Sequence, residues 1–315
     1  MSGSVTSVSS GDLSVLDEWR KAHLVPLTAI AMWLRKPALE ATGLAPAQRL
    51  KRRDTFFDKL ISGRAKDAST MHDLGGCRLI FPDVESLQGF RSYLEHKSRA
   101  KHKLLHSPDK YDYIASPKPT GYRGVHYIYG YHSNGGNAHL NGLKIEVQLR
   151  TAVQHAWATA VEIADLVSDT RTKFEDGSGR YGEFFRLASE LLSRHHEGMP
   201  SCESSLPLED IRTKFNTLEK KIGLLDQLAK LKEQGDISQI KQHTVLAFMN
   251  DDTVKIFGYA KPKTAVAKER ELLEDDTCLN VVYVSASTPS SIRSSYRNYL
   301  TNPEDFVSLL KDSLN

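Results

Sequence analysis

Apolar residues return every three or four positions along Leu13–Arg35 (Leu13, Leu16, Trp19, Leu24, Leu27, Ile30, Leu34). That spacing is one face of a helix, with Pro26 breaking the run and Pro37 closing it. The same period predicts a helix from Pro46 to about Ile61 on Leu50, Phe56, Phe57 and Leu60. Cys77–Phe81 reads as a strand stopped by Pro82, and Val84–Lys97 as a helix on Val84, Leu87, Phe90 and Leu94. Strands are then expected at Tyr111–Ala115, Gly124–His132 and Leu143–Arg150. The turn signals Asn134-Gly135-Gly136-Asn137 and Asn141-Gly142 make the last two an antiparallel pair. Helical spacing resumes at Thr151–Val167 (Val153, Trp157, Val161, Ala164), Gly182–His196 and Leu208–Gln234.

After Gly235 the pattern changes. Val245–Met249, Val254–Tyr259, a helical stretch at Ala265–Glu274 and Leu279–Val284 predict a small β-β-α-β unit. Two short helices follow, the last at about Glu304–Leu314. The expected organisation is a lead and helix over residues 1–45, a core over 46–170, a helical connector over 171–239 and a C-terminal module over 240–315.

Composition adds little to this picture. With 40% apolar and 26% charged residues, the chain is of ordinary soluble type. No apolar run has the length of a membrane span, and the N-terminus lacks the basic start and apolar core of a secretory signal. The three cysteines (Cys77, Cys202, Cys278) form no CxxC pair and no metal-ligand spacing. A reducing cytoplasm suits them. Charge is more informative in its distribution than in its net value of +3. Residues 45–66 carry seven Lys/Arg against two acids, and so do residues 97–126. Such clusters fit a polyanionic ligand, or equally a solvated helix face.

Candidate chemistry lies between, within and just after those clusters. In Lys144-Ile145-Glu146-Val147-Gln148-Leu149-Arg150, period-two geometry places Lys144, Glu146, Gln148 and Arg150 on one face. Asp73 stands just before the Cys77 strand, next to Gly75-Gly76, which permit close approach to the backbone. Alone, it reads as a cap or turn residue. Paired with a glutamate from a neighbouring strand, it becomes a hard-oxygen site of the kind Mg²⁺ takes, with phosphates and water completing the shell. The His72-Asp73 pair lacks the further His and Asp ligands of a metal phosphohydrolase. The loop from Asp112 to His126 presents Lys118, Tyr122, Arg123 and His126 on a Pro/Gly-shaped frame. Tyr122 there is either a base-stacking platform or a packed loop anchor.

Taken together, Arg49-x-Lys51-x3-Thr55-x3-Lys59, Asp73-x-Gly75-x2-Arg78, DYIASPKPTGYRGVH and IEVQLRT resemble, in order, the synthetase domain of the RelA/SpoT family. The later QHAWATAVE and GSGRYGEFFRLAS resemble members with one synthetase domain, no hydrolase domain and a small C-terminal module. The resemblance implies an α+β fold: a nucleotidyltransferase-like mixed sheet flanked by helices, with the β-β-α-β module appended. It also implies transfer of pyrophosphate from ATP to the 3′-hydroxyl of GDP or GTP, giving (p)ppGpp and AMP. Asp73 and Glu146 would hold Mg²⁺, and Glu146 would orient or deprotonate the acceptor hydroxyl. Arg49 and Arg78 would sandwich the adenine, and Lys51 and Lys59 would neutralise the ATP phosphates. Tyr122 would stack on guanine, with Lys118, His126, Gln148 and Arg150 around the acceptor and the transferred group. The loop departs from the best-known members in reading Gly-Tyr-Arg-Gly, where they carry Gln-Ser after the tyrosine.

Two other functions compete with this one. A toxic synthetase would pyrophosphorylate tRNA 3′ ends or adenosine nucleotides, but tRNA calls for an extended basic surface. From Asp251 onward there are eight Lys/Arg against ten Asp/Glu, which argues against that surface. A non-catalytic module that binds a partner has no physical need to keep Asp73, Arg78, Tyr122 and Glu146 together. Association into a homo-oligomer is left open by the pattern. The C-terminal module is expected to regulate access to the acceptor site.

Overall fold

The computed structural model describes residues 10–51, 60, 63, 66–96, 101–167, 179–230, 232–234, 239–251, 253–285 and 303–315. The chain divides into two compact units, residues 1–112 with 124–150, and residues 113–123 with 151–315.

The first unit opens with α1 (Ser10–Ala22) and α2 (Leu24–Thr42). The expected break falls at His23 rather than at a proline. Pro26 lies in the opening turn of α2, where an amide N–H has no intrahelical partner to lose. Nor does Pro37 end the helix. Leu34 and Ala38, on either side of it, are fully buried, and that packing carries α2 through to Gly43. Gly43 closes the helix at φ 69°, its N–H donating to the Leu39 carbonyl.

Strand β1 (Ala47–Leu50) replaces the start of the helix expected from Pro46. It pairs antiparallel with β2 (Gly75–Phe81), from Ala47 opposite Arg78 to Leu50 opposite Gly75. Cross-strand pairing outweighs the local helical period here. Leu60, in the same expected helix, is helical, while residues 52–59 and 61 lie outside the described residues.

Helix α3 (Val84–His96), β3 (Lys103–Leu104), β4 (Val125–Gly130) and β5 (Lys144–Thr151) complete the unit. The five strands form a mixed sheet in the order β1-β2-β5-β4-β3. Its core joins Ile30 and Leu34 of α2, Cys77 and Phe81 of β2, Leu87 and Phe90 of α3, and Ile145 and Val147 of β5. Strands β4 and β5 are antiparallel, as the turn signals predict.

The strand expected at Tyr111–Ala115 is absent. A 3-10 turn over Pro108–Tyr111 stands at its start, and Asp112 makes a single bridge to Val125. Buried Arg91 explains the turn, since it binds Asp112 at 2.5 Å and Asp109 at 3.1 Å and gathers the segment around one guanidinium.

In the second unit, α4 (Ala152–Val167), α5 (Gly179–Glu197), α6 (Leu208–Ile222), α7 (Leu224–Lys230) and the last helix share one core. Its largest members are Trp157, Phe184, Phe185, Phe215 and Phe306. The single helix expected over Leu208–Gln234 is interrupted by Gly223 at φ 65° and followed by strand β6 (Lys232–Gln234). The β-β-α-β expectation holds in β7 (His243–Met249), β8 (Thr253–Tyr259), α8 (Pro262–Leu273) and β9 (Cys278–Ser285). With β6 they form a four-stranded sheet in the order β6-β8-β7-β9. Of the two closing helices, α9 (Pro303–Leu314) is present, and the other falls on residues outside those described. No helix among the described residues is long and apolar enough to cross a membrane.

Candidate functional site

Alternation in β5 separates chemistry from core. Ile145, Val147 and Leu149 are buried, whereas Lys144, Glu146 and Gln148 face the half-buried side. Arg150, at the end of the same strand, is buried at 4% exposure. On β4, His126 stands opposite Gln148 and one diagonal step from Glu146. A diagonal pair across an antiparallel ladder is within reach of long side chains. His126 Nδ1 donates to Glu146 Oε1 at 2.8 Å, and Gln148 Nε2 donates to Glu146 Oε2 at 2.6 Å. From β2, Arg78 reaches Gln148 with a long contact of 3.5 Å. Gly76 of β2 lies beside Glu146, with a Cβ position there 3.4 Å from the Glu146 carbonyl oxygen, an ordinary contact distance.

Burial alone would raise the pKa of Glu146. The hydrogen bond and charge of His126 and the bond from Gln148 overcome it, so the net shift is downward despite repulsion from Asp73. This carboxylate is held ionised in a sheltered position. Asp73 lies at the entrance of β2 and pairs with Lys51 Nζ at 2.5 Å. The Lys51 ammonium is nearly buried, and its backbone is fixed by Leu74 and by Arg20 Nε, which donates to the Lys51 carbonyl at 2.6 Å. Both carboxylates act on the neighbouring His72. Burial first and Lys144 second lower its pKa, and Asp73 and Glu146 oppose them.

Asp73 and Glu146 are the donors expected for Mg²⁺. Among the described residues, no group of three or more His, Cys, Asp and Glu could hold a metal. Two hard carboxylates fit an ion that keeps water and takes its remaining ligands from phosphate. Asp73 already engages one positive charge, that of Lys51.

The 113–123 loop belongs to the second unit. Lys118 Nζ sits 4.4 Å from the Tyr113 ring centroid and 5.2 Å from that of Tyr122. Tyr122 in turn packs edge-on against Trp157, with centroids 6.4 Å apart. Tyr122 is thereby anchored on one side while remaining half-buried, which is compatible with both readings of it. Lys59 lies outside the described residues, and Arg49 is placed by its backbone alone, opposite Gly76.

Sequence reasoning overlooked Arg91 and Glu197. Arg91 sits on the apolar stripe of α3 and binds Asp112 and Tyr127. A basic residue in line with Leu87 and Leu94 was the available signal. Glu197, at the end of α5, accepts from Arg123, and no local pattern marks it.

A model of the region found in RelA and SpoT proteins matches residues 48–166. GTP pyrophosphokinase YwaC of Bacillus subtilis (strain 168) is 24% identical over 161 residues, covering 46% of this chain and 74% of that protein. Small alarmone synthetase 1 from Bacillus subtilis, solved bound to its product pppGpp, aligns at a TM-score of 0.45 with 16% identity, covering 66% of this chain and 97% of that one. A GTP pyrophosphokinase family protein from Streptococcus pneumoniae aligns at 0.45 with 17% identity, over 64% of this chain and 95% of that one. The likeness to RelA and SpoT proteins is thus carried by residues 48–166 of this chain.

Proposed function

We propose that the protein is a pyrophosphokinase that moves the β,γ-diphosphate of ATP to the 3′-hydroxyl of GDP or GTP. One observation carries this reading: within the RelA/SpoT region, Glu146 stays ionised on a sheltered sheet face, clamped by His126 and Gln148. The acceptor 3′-oxygen attacks the β-phosphorus, the bond to the α-phosphate oxygen breaks, and AMP leaves. A carboxylate held this way accepts a hydrogen bond from the 3′-hydroxyl and takes its proton as the new bond forms.

Mg²⁺, held by Asp73 and Glu146, would supply charge neutralisation at the phosphates when bound. Lys51, at hydrogen-bonding distance from Asp73, adds a fixed positive charge at the donor side. Arg49, Lys59 and Arg78 complete the donor assignment, and Lys118, Tyr122, His126, Gln148 and Arg150 the acceptor assignment. Catalysis of this type rests on positioning and fixed charge, with little covalent chemistry left for side chains.

The test supplies purified protein with Mg²⁺ and γ-labelled ATP, and offers GDP, GTP, AMP or bulk tRNA as acceptor. Label on a guanosine nucleotide with equimolar AMP is the expected result. Label on tRNA or AMP alone would replace the acceptor assignment, and no transfer to any acceptor would overturn the function.

A further inference from the structure

Three consecutive residues of the 113–123 loop are each held by the helical unit that follows β5. Gly121 accepts at its carbonyl from Ser189 Oγ of α5 at 2.6 Å. Tyr122 rests edge-on against Trp157 of α4, whose Nε1 donates to the Phe185 carbonyl at 2.8 Å. Arg123 donates through Nη1 to Glu197 Oε2 at the end of α5, with the two side chains 4% and 2% exposed.

The other Glu197 oxygen is also engaged. Oε1 accepts from Thr151 Oγ1 at 2.5 Å and from Gln154 Nε2 at 3.0 Å. One buried carboxylate thus ties the loop to the residue that ends β5 and to the first turn of α4. Arg123 depends heavily on that carboxylate. Among the described residues, its Nε and Nη2 find no hydrogen-bond partner, and Arg123 lines a small cavity with Gln154, Ser189 and Ser193.

A buried ion pair is weak evidence for stability, because desolvation offsets most of the attraction. Its geometric effect is the stronger one: an arginine fixed at its tip fixes the backbone beside it. We propose that Glu197 is a positioning residue for the acceptor nucleotide, acting through Arg123 to hold Tyr122 and Lys118 in place. The proposal rests on the pyrophosphokinase reading for its substrate, while Glu197 itself lies outside the 48–166 match. Neither Arg123 nor Glu197 need touch substrate, since both are buried. Tyr122 and Lys118 carry the contact.

Two full-length variants test it. Glu197→Gln keeps the shape and removes the charge. The double variant Arg123→Met with Glu197→Leu removes both charges, a replacement that proteins tolerate far better than breaking one partner. Each is expected to raise KM for GDP or GTP by roughly tenfold or more, the scale on which misplacement acts. KM for ATP should stay within about twofold. An unchanged acceptor KM, or equal rises for both substrates, would overturn the proposal.

Amide exchange in the unliganded protein gives a readout independent of activity. The Lys118 N–H donates to the Tyr122 carbonyl at 3.1 Å and the Gly121 N–H to the Lys118 carbonyl at 2.8 Å. Both should exchange faster in Glu197→Gln while α5 amides do not, and unaltered exchange at Lys118 and Gly121 contradicts the positioning role. A wild-type protein that transfers to none of the offered acceptors would instead defeat the pyrophosphokinase reading, leaving exchange to judge the loop.

Discussion

At Glu146, burial pushes the carboxyl toward neutrality, and His126 and Gln148 push harder the other way. A folded-state pKa below the ordinary glutamate value means that ionised Glu146 stabilises the fold above about pH 4.3, the unfolded value. That contribution disappears as pH falls through the lower folded value. The melting-temperature difference between wild type and Glu146→Gln should therefore be constant near neutrality and change as pH drops below about 4.3. Thermal melts at stepped pH check this, and a difference independent of pH would refute it. Cys77 gives a second residue-scale prediction. Its thiol is 1% exposed, and burial pushes its pKa up to about 12. Iodoacetamide at mildly alkaline pH should modify Cys77 only at the rate of unfolding, as read by peptide mass spectrometry. Residue chemistry was legible in the sequence where it follows strand alternation, as for Glu146 and Gln148. The Lys51–Asp73 pair was not, because both residues had separate local explanations and only the fold brings them together.

Elements were legible where one period dominated. Strands β4 and β5, helix α3 and the β-β-α-β order follow directly from spacing and turn residues. The failures share a cause, since each is a place where a distant partner overrides the local pattern. Leu50 belongs to a helical stripe by period, yet Gly75 offers it a strand edge. Pro37 reads as a terminator, yet buried Leu34 and Ala38 hold the helix across it. At Gly121 the backbone has φ +91°, and an added Cβ would lie 3.0 Å from Ser189 Cβ and 3.2 Å from the Arg186 Cα. Backbone atoms cannot retreat as a side-chain tip can. Gly121→Ala should thus cost about 1–2 kcal/mol from the backbone conformation alone, plus the contact with α5. Chemical denaturation measures that loss, and a variant as stable as wild type would show that the loop is not fixed against α5.

At the scale of the whole molecule, the C-terminal helix is part of the main helical core of the second unit. Phe306, Val307 and Leu310 of α9 are at most 5% exposed and share that core with Phe184 and Phe215. Fully burying one such side chain contributes about 1.5–3 kcal/mol, against a total stability of about 5–15 kcal/mol for an ordinary domain. A chain ending at residue 302 should therefore lose most of its cooperative melting, followed by circular dichroism. An unchanged melting temperature would mean that α9 is dispensable.

On the proposed function, Asp73 and Glu146 carry pyrophosphate transfer. The most direct measurement is AMP release from ATP in the presence of GDP or GTP, comparing wild type with Asp73→Asn and Glu146→Gln. Circular dichroism would confirm that all three are folded. Wild type should give equimolar AMP and guanosine 3′-diphosphate product, with a fall of at least about a hundredfold in both variants. Turnover like that of wild type in either variant would contradict it.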